Sequence, residues 1–500
     1  MTVEDKVSML ESLSNIASEM ATGEDEENLL VNFLPLRSYS KLADQRVFLI
    51  TGGRGAGKTE LFRMITSQSG FDHVISEADL SRYTERWNSK FIVGYTGRES
   101  TLFPSPGTCA TYAASKDEDV ITALWGGFIC SSLFRSCSDE AEIKKLAIEY
   151  LGEDIYSRLT ADSNQPGLWH QWMHGNIEKW EAFLDRCDDY FAGKSCKVYF
   201  MYDELDRICS KYADLFIYIR TLLSFWFAHN NRWRSLKAKI FLRNDLYNAD
   251  ALHFVDSSKM RAYHLELKWD SLSLYRLLVK RIANCRNPVA EAYLKDVPGL
   301  LQPATKEALG YMPGDSEMAF KEFIEKMIGK FMGSNPKKGS SYTWVPNHIQ
   351  DANGELSPRP FLKCFVFAAK KMAENYDEIL KLAEDRLLSP SSIQGALTEV
   401  SVDRVNELKL EEYGWLETLC NSLKNQSMLM ARQEFLRYLD PDLWPEDKRG
   451  TLPGNTPGEL LEALKTLGIV IETGDGRINV PEIYLHGFGL KRRGGIKRPR

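Results

Sequence analysis

The chain has 500 residues and a mass of 57.1 kDa, too long for one compact core, so two to four domains are expected. With 43% hydrophobic and 26% charged residues it reads as an ordinary folded protein, not a disordered one. Its 63 basic and 69 acidic residues leave a net charge of −6, which confines any nucleic-acid contact to a local patch. The nine cysteines are scattered and form no Cys-x-x-Cys pair, which argues against a zinc site or disulfide framework and for a reducing cytosol. The first residues lack a basic region followed by an apolar core, and no apolar run reaches the roughly 18–20 residues that span a bilayer. The expectation is a cytoplasmic protein without membrane contact.

Residues 1–45 read as an N-terminal helical arm, with the acidic stretch at 23–27 as its solvated end and linker. The run Val47-Phe48-Leu49-Ile50 suits a strand buried on both faces of a parallel sheet. A helix beginning near Lys58 places Leu61, Met64 and Ile65 on one side. Further β-like runs occupy 73–76, 91–95, 198–202 and 239–242, and helical patterns lie between them, notably 117–133 and 215–227. Strands alternating with helices predict an α/β core over 46–265, with an insertion at about 97–190. The insertion's Trp125, Trp169, Trp172 and Trp180 suit core or interface packing. From 266 the chain is mainly helical, with a lid expected over 266–385, a winged-helix-like domain over 386–490 and a basic tail at 491–500. Loop-like interruptions fall near 333–336 and 452–455.

Gly52-Gly53-Arg54-Gly55-Ala56-Gly57-Lys58-Thr59 matches the phosphate-loop pattern G-x-x-x-x-G-K-[ST]. Glycines let the backbone turn so that several amides surround a phosphate without side chains in the way. Lys58 is placed to reach the β- and γ-phosphates, and the Thr59 hydroxyl to ligate Mg²⁺. The helix that starts there, with Glu60 next in the contact set, adds its positive dipole end. The expected ligands are therefore ATP and Mg²⁺.

Such a loop needs a second strand that delivers carboxylates. Residues 198–202 followed by Asp203-Glu204-Leu205-Asp206-Arg207 fit that role. Asp203 would hold Mg²⁺, and Glu204 would polarise the water that attacks the γ-phosphate, making hydrolysis the expected outcome. The alternative is an acidic helix start after any strand. The strand at 239–242 leads into Arg243-Asn244-Asp245, where Asn244 is the first candidate to sense the γ-phosphate and Arg243 the second; a plain polar turn is the other reading. Ser357 suits an N-cap and Pro358 the first helical turn, so Arg359 stands at a helix start, either as a lid contact on the γ-phosphate or as a surface arginine.

A helix over 459–467, Gly468 as its stop, and two strands at 469–473 and 477–480 around Gly474-Asp475-Gly476 form a winged-helix pattern. Its helix carries Glu459, Glu462 and Lys465 and has no basic face. The tail at 491–500 carries six positive charges, either a phosphate contact or a solvated terminus.

The order of phosphate loop, acidic box, sensor strand, helical lid with Ser357-Pro358-Arg359 and terminal winged helix resembles the AAA+-related ATPases of the STAND and KAP type. Asp203-Glu204-Leu205-Asp206-Arg207 looks like the Asp-Asp-Leu-Asp-Arg box of KAP ATPases. The resemblance covers residues 45–280 and, more loosely, 340–500. It implies a nucleotide-driven switch or assembly factor, a homo-oligomer, and a prokaryotic anti-phage system with a separate effector protein. A DNA-associated ATPase resembling archaeal origin-recognition initiators, touching DNA through winged helix and tail, is the second reading, and a small-molecule kinase the third.

Overall fold

The computed structural model describes residues 1–17, 26–77, 88–97, 101–209, 212–247, 257–303, 308–383, 385–411, 413–445 and 452–492. Residues 23–25 of the acidic stretch and the tail residues 493–500, both given roles above, lie outside the described residues. Two compact units make up the chain: residues 1–34 with 268–500, and residues 35–267. The former opens with helices α1 (Val3–Ser14) and α2 (Glu26–Asn32).

The unit of residues 35–267 is built on five parallel strands. In chain order it runs β1 (Leu49–Gly52), α3 (Lys58–Ile65), α4 (Gln68–Glu77), β2 (Asn88–Tyr95), α5 (Pro106–Ala113), α6 (Glu118–Ser136), α7 (Ala141–Leu151), α8 (Glu153–Ala161), α9 (His170–Gly175), α10 (Ile177–Gly193), β3 (Cys196–Tyr202), α11 (Tyr212–Asn230), β4 (Leu236–Arg243) and β5 (His264–Leu267). The strand order is β2-β3-β4-β1-β5, so β4 lies between the strand of the phosphate loop and the strand of the acidic box. Both faces of β3 are buried along its whole length, as the apolar run at 198–202 predicts.

Helix α6 starts where Asp117 accepts a bond from the Asp119 amide, 2.9 Å, and is apolar nearly all round because it lies inside the unit. Gly126 and Gly127 on it have no side chain because indole rings occupy the space. A Cβ at Gly126 would lie 2.9 Å from Trp180, and one at Gly127 2.2 Å from Trp169. Trp125, Trp169 and Trp180 are fully buried, so the expected insertion packs as core of this unit.

Two readings of the sequence are corrected here. Residues 73–76, expected as a strand, belong to α4, where Phe71, Val74 and Ile75 are buried at helical spacing; a four-residue apolar run does not tell the two periods apart. Residues 264–267, given no strand above, form β5 beside β1, with half-buried and buried positions alternating.

The unit of residues 1–34 and 268–500 is helical before it ends in small sheets. Helix α1 begins with a reciprocal cap between Thr2 and Asp5, buries Met9, Leu10 and Leu13, and anchors Lys6 Nζ on the carbonyls of Leu382 and Ala383, at 3.2 and 2.9 Å. Residues 1–14 thus pack into this unit. Beyond 268 come α12 (Ser271–Ala283), α13 (Pro288–Lys295), α14 (Glu317–Ile328), α15 (Ser341–Ile349), α16 (Pro358–Ala373), α17 (Tyr376–Lys381), α18 (Pro390–Glu411) and α19 (Leu416–Leu423). Ser357 and Pro358 occupy the N-cap and first position of α16, as their sequence order predicts.

The chain then continues through β6 (Ser427–Met428), β7 (Met430–Ala431), α20 (Arg432–Tyr438), α21 (Pro457–Thr466), β8 (Ile471–Glu472), β9 (Arg477–Asn479), α22 (Glu482–Leu485) and β10 (Lys491–Arg492). Strands β8 and β9 form the expected hairpin, with Ile471 opposite Asn479 and Gly476 in the left-handed region at φ 77°, and β7 adds to its other edge. Gly468, φ 69°, stands just past α21. The two tail residues that are described pair as β10 with β6. No described helix is long and apolar enough to cross a membrane.

Candidate functional site

The site forms where the carboxyl ends of β1, β2, β3 and β4 meet, the place where open parallel sheets hold ligands. Gly52 ends β1, paired with Arg243 of β4 on one side and Leu267 of β5 on the other. A Cβ on Gly52 would stand 3.1 Å from Leu267 Cβ and 3.2 Å from Ala56 Cβ, so the loop starts in a space that fits glycine. Gly55 and Gly57 have φ of 76° and 92°, which an L side chain adopts only with strain, and Gly57 is the N-cap of α3. The Ala56 amide closes a turn on the Gly53 carbonyl at 3.2 Å.

Lys58 folds back along this loop, its Nζ donating to the Gly52 and Gly53 carbonyls, each at 2.9 Å. Burial, then the facing Arg243 guanidinium, push its pKa down to about 8 against the pull of Asp203, Asp245 and Asp206. The next residue, Thr59, donates its hydroxyl to Asp203. Asp203 is 4% exposed, and burial drives its carboxyl up to about 6, although the Thr59 hydroxyl, the Glu204 amide and the Lys58 charge all favour the ionised form. Arg54 and Glu60, the other members of the expected contact set, are half-buried on the loop and in the first turn of α3.

Glu204 follows in the left-handed region, φ 55° and ψ 36°, uncommon for a residue with a side chain. Its Oε2 accepts from Thr96 Oγ1 at 3.3 Å, and Arg207 Nε lies 3.8 Å from Oε1. The sequence reading missed Thr96. The signal was available, since Thr96 directly follows the strand at 91–95, at the same carboxyl edge as every other member of the group.

The two sensor candidates sit differently. Arg243 holds Asp245 through Nε and Nη2 at 3.0 and 2.7 Å, and reaches Asp206 of the acidic box through Nη1 at 3.3 Å. Asn244 donates its main-chain amide to the Gly52 carbonyl at 3.2 Å, while its side-chain amide contacts Glu266 at 3.5 Å. One cluster thus brings together Lys58, Thr59, Asp203, Glu204, Arg243 and Asn244. Arg359 belongs to the other unit, where it lies 3.7 Å from Glu407 across α16 and α18.

No protein-family model matches the chain, and no curated protein does. Among solved structures it is similar to the ORC2 protein of Aeropyrum pernix, crystallised in ADPNP–ADP complexes, at 15% identity and a TM-score of 0.39, over 93% of this chain and 95% of that one. So loose an overlap leaves the functional reading to rest on the residues of the site.

Proposed function

We propose that the chain is a Mg²⁺-dependent ATPase whose nucleotide state works as a switch. One observation carries this reading: Lys58 and Thr59 of a glycine loop meet the buried Asp203, beside Glu204, at the end of a neighbouring strand. A hydroxyl and a carboxylate are hard oxygen donors of the kind Mg²⁺ takes, and left-handed Gly55 and Gly57 leave the loop without side chains that would fill a phosphate cradle.

Thr59 and Asp203 would hold the metal, which when bound neutralises charge on the β- and γ-phosphates. Lys58 exchanges its two carbonyl partners for phosphate oxygens. Glu204 orients the attacking water and takes its proton, and Asn244 or Arg243 reports the γ-phosphate. Arg359 serves as the lid contact of a 266–385 lid. Glu204→Gln should keep nucleotide binding and lose turnover; normal hydrolysis by that variant would refute the acidic-box assignment.

The resemblance to STAND and KAP ATPases supports the biological side of the proposal: a homo-oligomer that passes a nucleotide-driven change to a separate effector in a prokaryotic anti-phage system. Gel filtration with and without a non-hydrolysable ATP analogue tests it, and an unchanged monomer with no partner counts against it.

A DNA-associated ATPase is the second reading. The succession α19, β7, α20, α21 and the β8–β9 hairpin, with β7 on the same small sheet, supports a winged-helix module over 386–490. Charge opposes reading of bases by α21, because Lys465 is held by Glu462 and Glu472 at 2.9 and 2.7 Å. DNA affinity at two salt concentrations, with and without residues 491–500, separates the two readings.

A further inference from the structure

The loop joining α14 to α15, residues 329–340, has charges that the ATPase reading does not use. Between Lys326 and Gln350 there is no carboxylate, in a chain whose net charge is −6. The loop is tied at its base: Ser341 Oγ donates to the Gly329 carbonyl at 2.5 Å, Ser341 N to the Lys330 carbonyl at 3.2 Å, and Met332 N to the Gly339 carbonyl at 3.0 Å. Ser341 and Met332 are buried beneath it. Within the loop, the Asn335 side chain accepts from the Lys337 amide at 3.0 Å. Residues 333–338 are all exposed, so the loop is a braced projection.

Lys330, Lys337 and Lys338 are exposed on it, and none forms an ion pair among the described residues. Arg386 joins them, since a Cβ on Gly329 would lie 2.9 Å from its guanidinium carbon. Two other lysines of this unit are matched instead: Lys363 sits between Asp403 and Glu407, and Lys465 between Glu462 and Glu472. Three such lysines on a braced loop, with Arg386 beside its base, repel one another, and an anionic partner removes that cost.

Two half-buried rings flank them. Phe331 lies 5.7 Å from Lys330 Nζ, and Trp344 lies 3.7 Å from where a Cβ on Gly339 would stand. Cations interleaved with flat rings match a polymer that offers phosphates at regular intervals and bases that stack.

We propose that the 329–340 loop, with Arg386, is a docking surface for the phosphate backbone of a nucleic acid. The proposal does not depend on the ATPase reading, and it is distinct from a contact through α21 or the tail. The three lysines offer point charges and no fork for base edges, so their contacts are independent of sequence.

Fluorescence anisotropy of the full chain with labelled single-stranded and duplex DNA of about 30 nucleotides, at about 50 and about 200 mM salt, tests it. Removing three phosphate contacts in Lys330→Ala/Lys337→Ala/Lys338→Ala should lower the duplex salt slope by about 2.7, so that the loss of affinity between the two salts shrinks about 40-fold. The matching triple Lys→Arg variant should bind as the parent does. Weaker single-strand binding by Trp344→Ala supports stacking on the same surface, and equal binding supports contact with the backbone alone. The proposal is overturned if the triple alanine variant keeps the parent slope, if the parent binds neither DNA form at the lower salt, or if it binds only vesicles containing phosphatidylserine.

Discussion

The backbone of Glu204 gives the sharpest test of the site. With φ 55° and ψ 36° it lies in a region that costs an L residue roughly 1–2 kcal/mol, a cost glycine escapes. Glu204→Ala and Glu204→Gly both delete the carboxylate and with it the contacts to Thr96 and Arg207, so the difference between them isolates the backbone. Glycine's larger unfolded-state entropy offsets up to about 1 kcal/mol of the relief. The Gly variant should therefore be the more stable, by about 1 kcal/mol at the middle of these ranges. Urea unfolding followed by the fluorescence of the buried tryptophans of this unit reads that difference. Both variants should bind nucleotide yet hydrolyse it at least about 100-fold more slowly than the parent. An Ala variant as stable as the Gly variant would refute the claim of strain, and parental turnover by either would remove Glu204 from the mechanism.

Lys58→Ala should abolish ATP binding measured by isothermal titration, because it removes the ammonium held on the loop carbonyls of Gly52 and Gly53. The site also predicts a pH window. Asp203, raised from 3.8 to about 6, contributes stability that is present below about 4 and lost as pH rises through about 6; Lys58, lowered from 10.5 to about 8, contributes stability that is present above 10.5 and lost as pH falls through about 8. Both ions are thus costly between pH 6 and 8 until a ligand pairs with them, so the rise in unfolding temperature with Mg-ATP should peak in that window. Asp203→Asn at matched pH corrects for titration of ATP itself, and a flat profile from pH 5 to 9 sinks the assignment. Gly127→Ala should cost about 1–3 kcal/mol, seen as a lower urea midpoint, since the new methyl would fall 2.2 Å from the Trp169 ring.

How much of this was legible depends on the range of the interaction that sets each feature. The glycine loop and the acidic box are local patterns, because amides, a lysine and a carboxylate at fixed spacing are needed whatever surrounds them. Residues 198–202 and 239–242 read as buried strands because both faces of the central sheet are covered. Residues 264–267 did not, since a four-residue edge strand declares itself only by pairing with β1. Thr96 could be placed at the end of the strand at 91–95, but its pairing could not: Glu204 is 108 positions away and the parallel register of β2 and β3 brings them together. The packing of α1 on residues 382 and 383 is likewise tertiary, as nothing in Val3–Ser14 names that surface.

The energetics of these side chains bear on the switch proposed above. Asp203 is a carboxylate kept from water, Lys58 an ammonium turned onto carbonyls against a facing guanidinium, and Glu204 a side chain on a disfavoured backbone. Each pKa unit displaced is about 1.4 kcal/mol of unfavourable interaction, and a Mg-nucleotide relieves two of the three groups at once. A ligand that binds one conformation better by about 3 kcal/mol shifts a two-state equilibrium more than 100-fold. The cost carried by Asp203 and Lys58 is therefore a differential that Mg-nucleotide binding can draw on. Arg243 offers a route for it within this unit: the guanidinium that opposes Lys58 also grips Asp206, so drawing Lys58 onto a phosphate changes the field on an arginine bound to the acidic box. Arg243→Ala should then raise the pKa of Lys58 and extend nucleotide affinity above pH 8, whereas a purely structural role for Arg243 would lower affinity at every pH alike.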